Sequence, residues 1–263
     1  MKFLSLILVT FLSINLSANE YSNFIVHTIH LKKKVETGKS GFLEFEIENT
    51  SKKKDLTFIL SLYPLSTTET GSLNFNKMKK REKESRDFTQ FVKEKDYEFT
   101  IKKGQKIKKK VAYQIPKEAD GSFYFLYRVL PKVSLTKNGV QMIQRKVVES
   151  TGKIDTNKIV FNEEFDVTVK NKANFSKLSV EFRNTGNTHL LQTKAEIILV
   201  KEGKVLFKEE AIVSGNHTVY PGNKVYYNLK TKNKLKGKYN LILSVSSTNG
   251  YFKNLTKEIE VKD

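Results

Sequence analysis

The chain has no cysteine and no tryptophan. The first absence excludes disulfides, thiolate metal sites and cysteine nucleophiles. No GxSxG, HExxH, P-loop or glycine-rich dinucleotide motif occurs, so none of the common routes to hydrolysis, metal catalysis or nucleotide binding has a foothold. The paired carboxylates Glu163–Glu164 and Glu209–Glu210 are adjacent in sequence. In strands such neighbours face apart and cannot share a substrate. The histidines are equally unpromising. In "HTIH", His27 and His30 fall on opposite faces of a strand, which is poor geometry for one metal. His189 and His217 sit beside turn residues and read as surface loop positions. The expectation is a protein that is not an enzyme and has no cofactor and no metal.

A long apolar run is missing everywhere but at the start. "MKFLSLILVTFLSINLSANE" has one lysine, an apolar stretch from Phe3 to Leu16, and small residues at Ser17 and Ala18. That order is the pattern of a secretory signal peptide over residues 1–18, and the stretch is shorter than the about 20 residues of a membrane span. The mature chain is expected to begin near Asn19, soluble and extracytoplasmic. The periplasm is the first expectation, and the cell surface or medium the alternative.

What is abundant is lysine. The formal charge is +19, and removal of the signal takes away only Lys2, leaving about +18. The lysines form short tracts: 32–34, 52–54, 79–83 and 106–110. Outside the cytoplasm, and without a zinc-finger, RRM or helix-turn-helix signature, nucleic acid is not the expected partner. Solvated faces and protected strand edges account for most such tracts. Attraction to acidic envelope polymers or anionic lipid head groups is the competing use.

Period-2 patterning runs the length of the chain. "GFLEFEIEN" puts Leu43, Phe45 and Ile47 on one face and Glu44, Glu46 and Glu48 on the other. This is a strand with one buried face. "DLTFILSLYP", "YEFTIKKGQKIKKKVAYQIP" and the aromatic-rich "GSFYFLYRVLP" follow as further strands. "NGVQMIQRKVVES" comes after an Asn-Gly hairpin signal. Residues 77–95 have some helical charge spacing and are expected as an exposed loop with at most one helical turn, within a Lys-rich loop over 66–95. The second half repeats the first: "EFEIENTS" matches "SVEFRNTG", "TIKKGQKIKKKVAYQIP" matches "TVYPGNKVYYNLK", and "ADGSFYFLYRVL" matches "LKGKYNLILSVS". In both "ENTS" and "RNTGN" the asparagine reverses the chain and caps its own backbone. Strands every 8–12 residues, broken by turn signals, imply an all-β fold of two tandem antiparallel sandwiches. Their expected bounds are 22–150 and 155–263, joined around "ESTGKIDT".

These motifs resemble a bacterial family of exported tandem immunoglobulin-like proteins, distantly similar to the periplasmic pilus chaperones (PapD-like). "FEIENTS", "KKGQ" and "YQIPKEADGSFYF" fit the family pattern in the first half, and "VEFRNTGN", "YPGN" and "LKGKYNLIL" fit it in the second. The family commonly has a tryptophan before the first turn, where this chain has Phe91 and no proline. The resemblance implies immunoglobulin-like domains and a non-enzymatic binding or assembly role, chaperone-like, acting by β-strand addition on envelope or surface protein subunits. Pilus chaperones grip a subunit's C-terminal carboxylate with an Arg–Lys pair in the cleft between domains. By residue type Arg128 and Arg145 are the candidates. The expected edge is "VQMIQRKVV", with Val140, Met142 and Val147 as apolar contacts. The alternative function is a structural envelope component whose lysines hold acidic envelope polymers.

Overall fold

The computed structural model describes residues 24–81, 84, 86–132, 147–214 and 217–262. The signal segment, and Val140, Met142 and Arg145 of the expected edge, lie outside the described residues.

Among the described residues sixteen strands form four sheets. In the first sandwich, β1 (Phe24–Val26), β3 (Ser40–Asn49) and β6 (Lys106–Gln114) make a three-stranded sheet in the order β1-β3-β6. Facing it are β2 (Leu31–Lys34), β4 (Leu56–Pro64), β5 (Asp96–Ile101), β7 (Ser122–Pro131) and β8 (Val148–Asp155), ordered β2-β8-β7-β4-β5. The second sandwich packs β9 (Glu163–Asn171), β10 (Ser176–Asn184), β13 (Ile212–Ser214) and β14 (Lys224–Lys230) against β11 (Lys194–Lys201), β12 (Lys204–Glu210), β15 (Gly237–Ser246) and β16 (Phe252–Val261). The sheet orders there are β13-β14-β10-β9 and β12-β11-β15-β16. The all-β, two-sandwich expectation is met. Among the described residues the strands pair antiparallel except β2, which runs parallel to β8.

Periodicity becomes packing as the alternation requires. Leu43, Phe45 and Ile47 of β3 are fully buried, while its glutamates face out. The outward glutamates meet the lysines of β6 in register, Glu44 opposite Lys110, Glu46 opposite Lys108 and Glu48 opposite Lys106. Lys106 reaches Glu46 at 2.8 Å and Lys110 reaches Glu44 at 3.6 Å. The 106–110 tract is therefore half of a cross-strand charge ladder, each rung worth a few tenths of a kcal/mol to about 1 kcal/mol. Lys109 points the other way and lies over the rings of Tyr97 and Phe99 at 5.1 and 5.3 Å, covering the sandwich edge.

Three expectations are corrected. Residues 77–95 are not an exposed loop. An α-helix, α1 (Phe75–Lys80), buries Met78, and a 3₁₀ turn over Phe88–Phe91 buries Phe88 and Thr89. Phe88 stacks between Tyr113 and Phe125, with centroids at 5.6 and 5.2 Å. The lysines of this segment mask an aromatic plug. Second, "ESTGKIDT" is not a junction but largely β8, which carries the first sandwich to Asp155. Its glycine is no turn signal: a Cβ on Gly152 would strike the ring of Phe125 on the neighbouring strand, so the strand needs glycine to let that ring pass. Third, His189 is not on the surface. It is 5% exposed and lies between the two sandwiches.

Replacing Phe88 by Ala is expected to cost about 3–5 kcal/mol, the usual penalty for emptying a fully buried phenylalanine site. Equilibrium denaturation of the full chain measures it. A loss under about 0.5 kcal/mol, as at an exposed position, would contradict the placement.

Candidate functional site

The site begins at the turn that reverses the chain after β10. Asn184 is 1% exposed, and its amide donates to the carbonyls of Thr188 (2.7 Å) and Val219 (2.8 Å) while its Oδ1 accepts from Gly186 N (3.0 Å). Asn49 does the same after β3, donating to Lys54 O and Ile101 O and accepting from Ser51 N. The repeated asparagine is thus a buried brace that supplies hydrogen bonds the turn backbone cannot make itself.

In the second sandwich this braced turn also faces the first. Asn187 O accepts from Ser122 N at 2.8 Å, and Ser122 Oγ meets Thr188 Oγ1 at 2.8 Å. Gly121 has φ +74° and lies so close to Asn187 that a Cβ would collide with its carbonyl and side chain. Only glycine satisfies both demands. Next along β7, Tyr124 OH accepts from His189 N at 2.8 Å and shares a 2.9 Å hydrogen bond with His189 Nδ1. Tyr220 stands edge-on to Tyr124 at 5.1 Å. On the flank, the 67–73 hairpin reaches across. Thr67 Oγ1 donates to Asn223 Oδ1 (2.9 Å), Asn223 Nδ2 donates to Thr68 O (2.9 Å), and Lys224 Nζ pairs with Glu69 at 2.6 Å and Glu181 at 3.2 Å.

This seam explains the aromatic run of β7, which is buried on both faces. Phe125, Tyr127 and Val129 fill the sandwich core. Tyr124 and Leu126 point out and are covered by Leu65, Met78, Tyr63 and Tyr220. Burial raises the Tyr124 hydroxyl well above its ordinary value. Burial first, then the positive charges of Lys153 and Lys32, push His189 down to about 3. Its imidazole is neutral at physiological pH.

A cleft of about 260 Å³ opens beside this aromatic floor, with Lys32, Gly152 and Lys153 on its first-sandwich wall and Leu191 and Thr218 on the other. Lys32 and Lys153 are register partners on the parallel strands β2 and β8. Lys153 is anchored by Asp155 at 2.9 Å, and its side chain is 17% exposed. An ammonium has three donors, so a single carboxylate leaves two for a ligand. The partner strand β2 covers β8 only from Gly152 to Asp155. Among the described residues no strand pairs with Val148–Thr151 on that side. An edge that no described strand covers, touched at Ser150 by His30 N at 3.2 Å, therefore leads into a cleft with two cations at its mouth.

The sequence candidates fall differently. Val147 is 44% exposed and immediately precedes β8. Arg128 faces out from β7 opposite Glu149, bonded through Nε at 2.6 Å and lying over the Tyr63 ring. It stands on the same face of β7 as Tyr124, but its charge is satisfied by Glu149 and it does not line the cleft. Lys32 and Lys153 were missed by sequence reasoning, because the pairing that brings them together joins segments about 120 residues apart. A larger recess of about 630 Å³ lies along the seam on the side of Phe123, but Arg86 there is committed to Asp120.

No protein-family model matches the sequence, and no curated protein matches it. Among solved structures the chain is distantly similar to fimbrial chaperones. One is a chaperone–tip adhesin complex of CFA/I fimbriae biogenesis, at 12% identity over 88% of this chain and 98% of that one, TM-score 0.49. Another is the class 5 fimbriae chaperone CfaA, at 10% identity over 91% and 100%, TM-score 0.47. A third is the CsuC–CsuE pre-assembly complex from Csu pili of Acinetobacter baumannii, at 12% identity over 89% and 97%, TM-score 0.40. No helix among the described residues is long and apolar enough to cross a membrane.

The seam carries a pH signature. The folded-state value of His189 lies below the ordinary 6.5. Its contribution to stability is therefore complete above about 6.5 and is lost as pH falls toward about 3, by up to about 1.4 kcal/mol per pH unit. His189→Gln, which keeps a polar side chain but does not titrate, is expected to flatten the acid limb of the stability profile. An unchanged slope would show that His189 is not buried neutral.

Proposed function

We propose that the chain is a non-enzymatic, extracytoplasmic assembly protein, chaperone-like in action. It holds a protein subunit by adding a strand of that subunit to the bare edge of β8. Lys32 and Lys153 receive the subunit's terminal carboxylate. The observation that carries this reading is the half-covered strand: β2 pairs with β8 only over Gly152–Asp155, and the lysine pair lies one position inside the end of the covered half, next to Leu31–Gly152. An extended segment laid on Val148–Thr151 completes main-chain hydrogen bonds, which give affinity without demanding sequence. Val147 and Val148 offer apolar contacts beside it. A carboxylate arriving at the cleft meets two lysines on neighbouring strands whose backbones lie roughly 4.8 Å apart. Charge-assisted hydrogen bonds are stronger there than in open solvent.

The reading of envelope protein subunits as partners also follows from the motif resemblance. The competing use of the lysines, holding acidic polymers, loses ground on the first sandwich, where the 106–110 tract is engaged by the β3 glutamates.

A photo-crosslinking residue at Val148 or Thr151, in the native envelope, is expected to capture the same protein subunit. The same residue at Glu98, on the opposite edge strand β5, is expected to capture none. Lys32→Ala combined with Lys153→Ala should cut capture at least tenfold, since each lost hydrogen bond to a charged group is worth about 1.5–3 kcal/mol, with the melting transition retained. Equal capture from β5, or capture indifferent to the two lysines, would contradict the proposal.

A further inference from the structure

The far end of the second sandwich sets three like charges side by side across one sheet. On the outer face of the β13-β14-β10-β9 sheet, Lys177 of β10 lies directly opposite Lys170 of β9 on one side and Lys230 of β14 on the other. Strand spacing sets these three exposed lysines about 4.8 Å apart, abreast across the sheet. Like charges directly opposite destabilise a sheet. None of the three has a carboxylate partner among the described residues. Lys230 instead lies over the Phe175 ring at 4.1 Å. Several other strand lysines do have a carboxylate partner, as in Lys110–Glu44, Lys106–Glu46, Lys208–Glu196 and Lys257–Asp166.

The two adjoining turns enlarge the cluster. Exposed Lys172 lies in the β9–β10 turn, and exposed Lys232 and Lys234 lie in the β14–β15 loop, all at the end of the sandwich where β10 begins and β14 stops. The acids Glu202, Glu258 and Glu260 at that end belong to the other sheet, the last two opposite Asn240 and Lys238. The opposite ends of the same strands, Asn184 and Lys224, form the seam. The uncompensated charge is thus gathered at the pole remote from the cleft.

We infer that this pole docks on the surface of an anionic phospholipid bilayer. Charge complementarity sets the sign of the partner. The shape sets its form: two turns and a row across strand ends make a cap, which meets a plane with all its charges at once. The lysine row itself carries no large exposed apolar side chain, and Val205 and Leu206, exposed beside the β11–β12 turn at this end, belong to the other sheet, so the contact is led by attraction to head groups. Lysines near an anionic leaflet strengthen binding about fivefold each. Docked this way, the chain turns its cleft and the bare edge of β8 away from the membrane, free for a partner. The inference is independent of what the cleft holds.

The test uses the full mature chain and vesicles of phosphatidylglycerol mixed with phosphatidylcholine, beside phosphatidylcholine alone. Sedimentation is expected only with the anionic vesicles, and raised salt should release the protein, because the charges are solvent-exposed. Lys170→Gln with Lys177→Gln and Lys230→Gln should weaken binding about a hundredfold. That variant should melt no lower than the parent, since the change relieves repulsion. The matching Lys→Arg triple variant should bind like the parent, separating charge from fold. Neutralising the paired Lys106, Lys108 and Lys110 should change binding only a few-fold. Failure to bind anionic vesicles would overturn the inference, as would full binding by the Gln variant or loss by the Arg variant. Binding of soluble polyphosphate with none to vesicles would overturn it in favour of a polymer.

Discussion

The approach of the Asn187 turn to Gly121 sets the position of every functional feature described above. Gly121 opens β7 with a positive φ, and Asn187 O takes the next backbone N–H. From there Ser122, Tyr124 and their second-sandwich partners follow at alternate positions of one strand, so a single close contact registers the whole seam. Polar groups buried between two domains are costly unless paired. Here Ser122, Thr188, Tyr124 and His189 satisfy one another. Losing the register would leave several of them unpaired together, so the angle between the sandwiches is held more firmly than apolar contact alone would hold it. The cleft inherits that fixity, since Tyr124, His189 and Tyr220 are its floor.

Charge is the second organising constraint. With an excess this large, self-repulsion would be expected to weigh on the compact state. The first sandwich answers it locally, with glutamates of β3 facing lysines of β6 and Lys109 laid over aromatic rings. The second sandwich answers it on one side of its β9 edge, where Lys257 reaches Asp166 and Lys253 reaches the buried Glu163. Its remote pole is left uncompensated. The distribution therefore separates lysines that stabilise the sheets from lysines that cost stability.

Local chemistry was legible in the sequence, and chemistry made by distant segments was not. The alternation of β3 and the repeated asparagine turns were readable because period and turn propensity are properties of a few consecutive residues. Gly152 misled because a glycine demanded by a ring on the neighbouring strand looks the same as a glycine demanded by a turn. His189 misled because the residues that bury it, Tyr124 and Tyr220, come from the other sandwich and a later loop. Phe88 was hidden by the lysines around it, although the pair Phe88 and Phe91 carried a signal that a search for aromatics within charged stretches would find. Lys32 and Lys153 come together only through the parallel pairing of β2 with β8, which no run of residues announces.

The most direct test of this account is the distance between the sandwiches in solution. Spin labels at Lys103, on the first, and Lys234, on the second, report it by dipolar spectroscopy. A seam registered by the Asn187–Gly121 contact predicts one narrow distance distribution in the free protein. A broad or two-peaked distribution would contradict it, because the sandwiches would then move independently and the cleft would not be formed before a partner arrives.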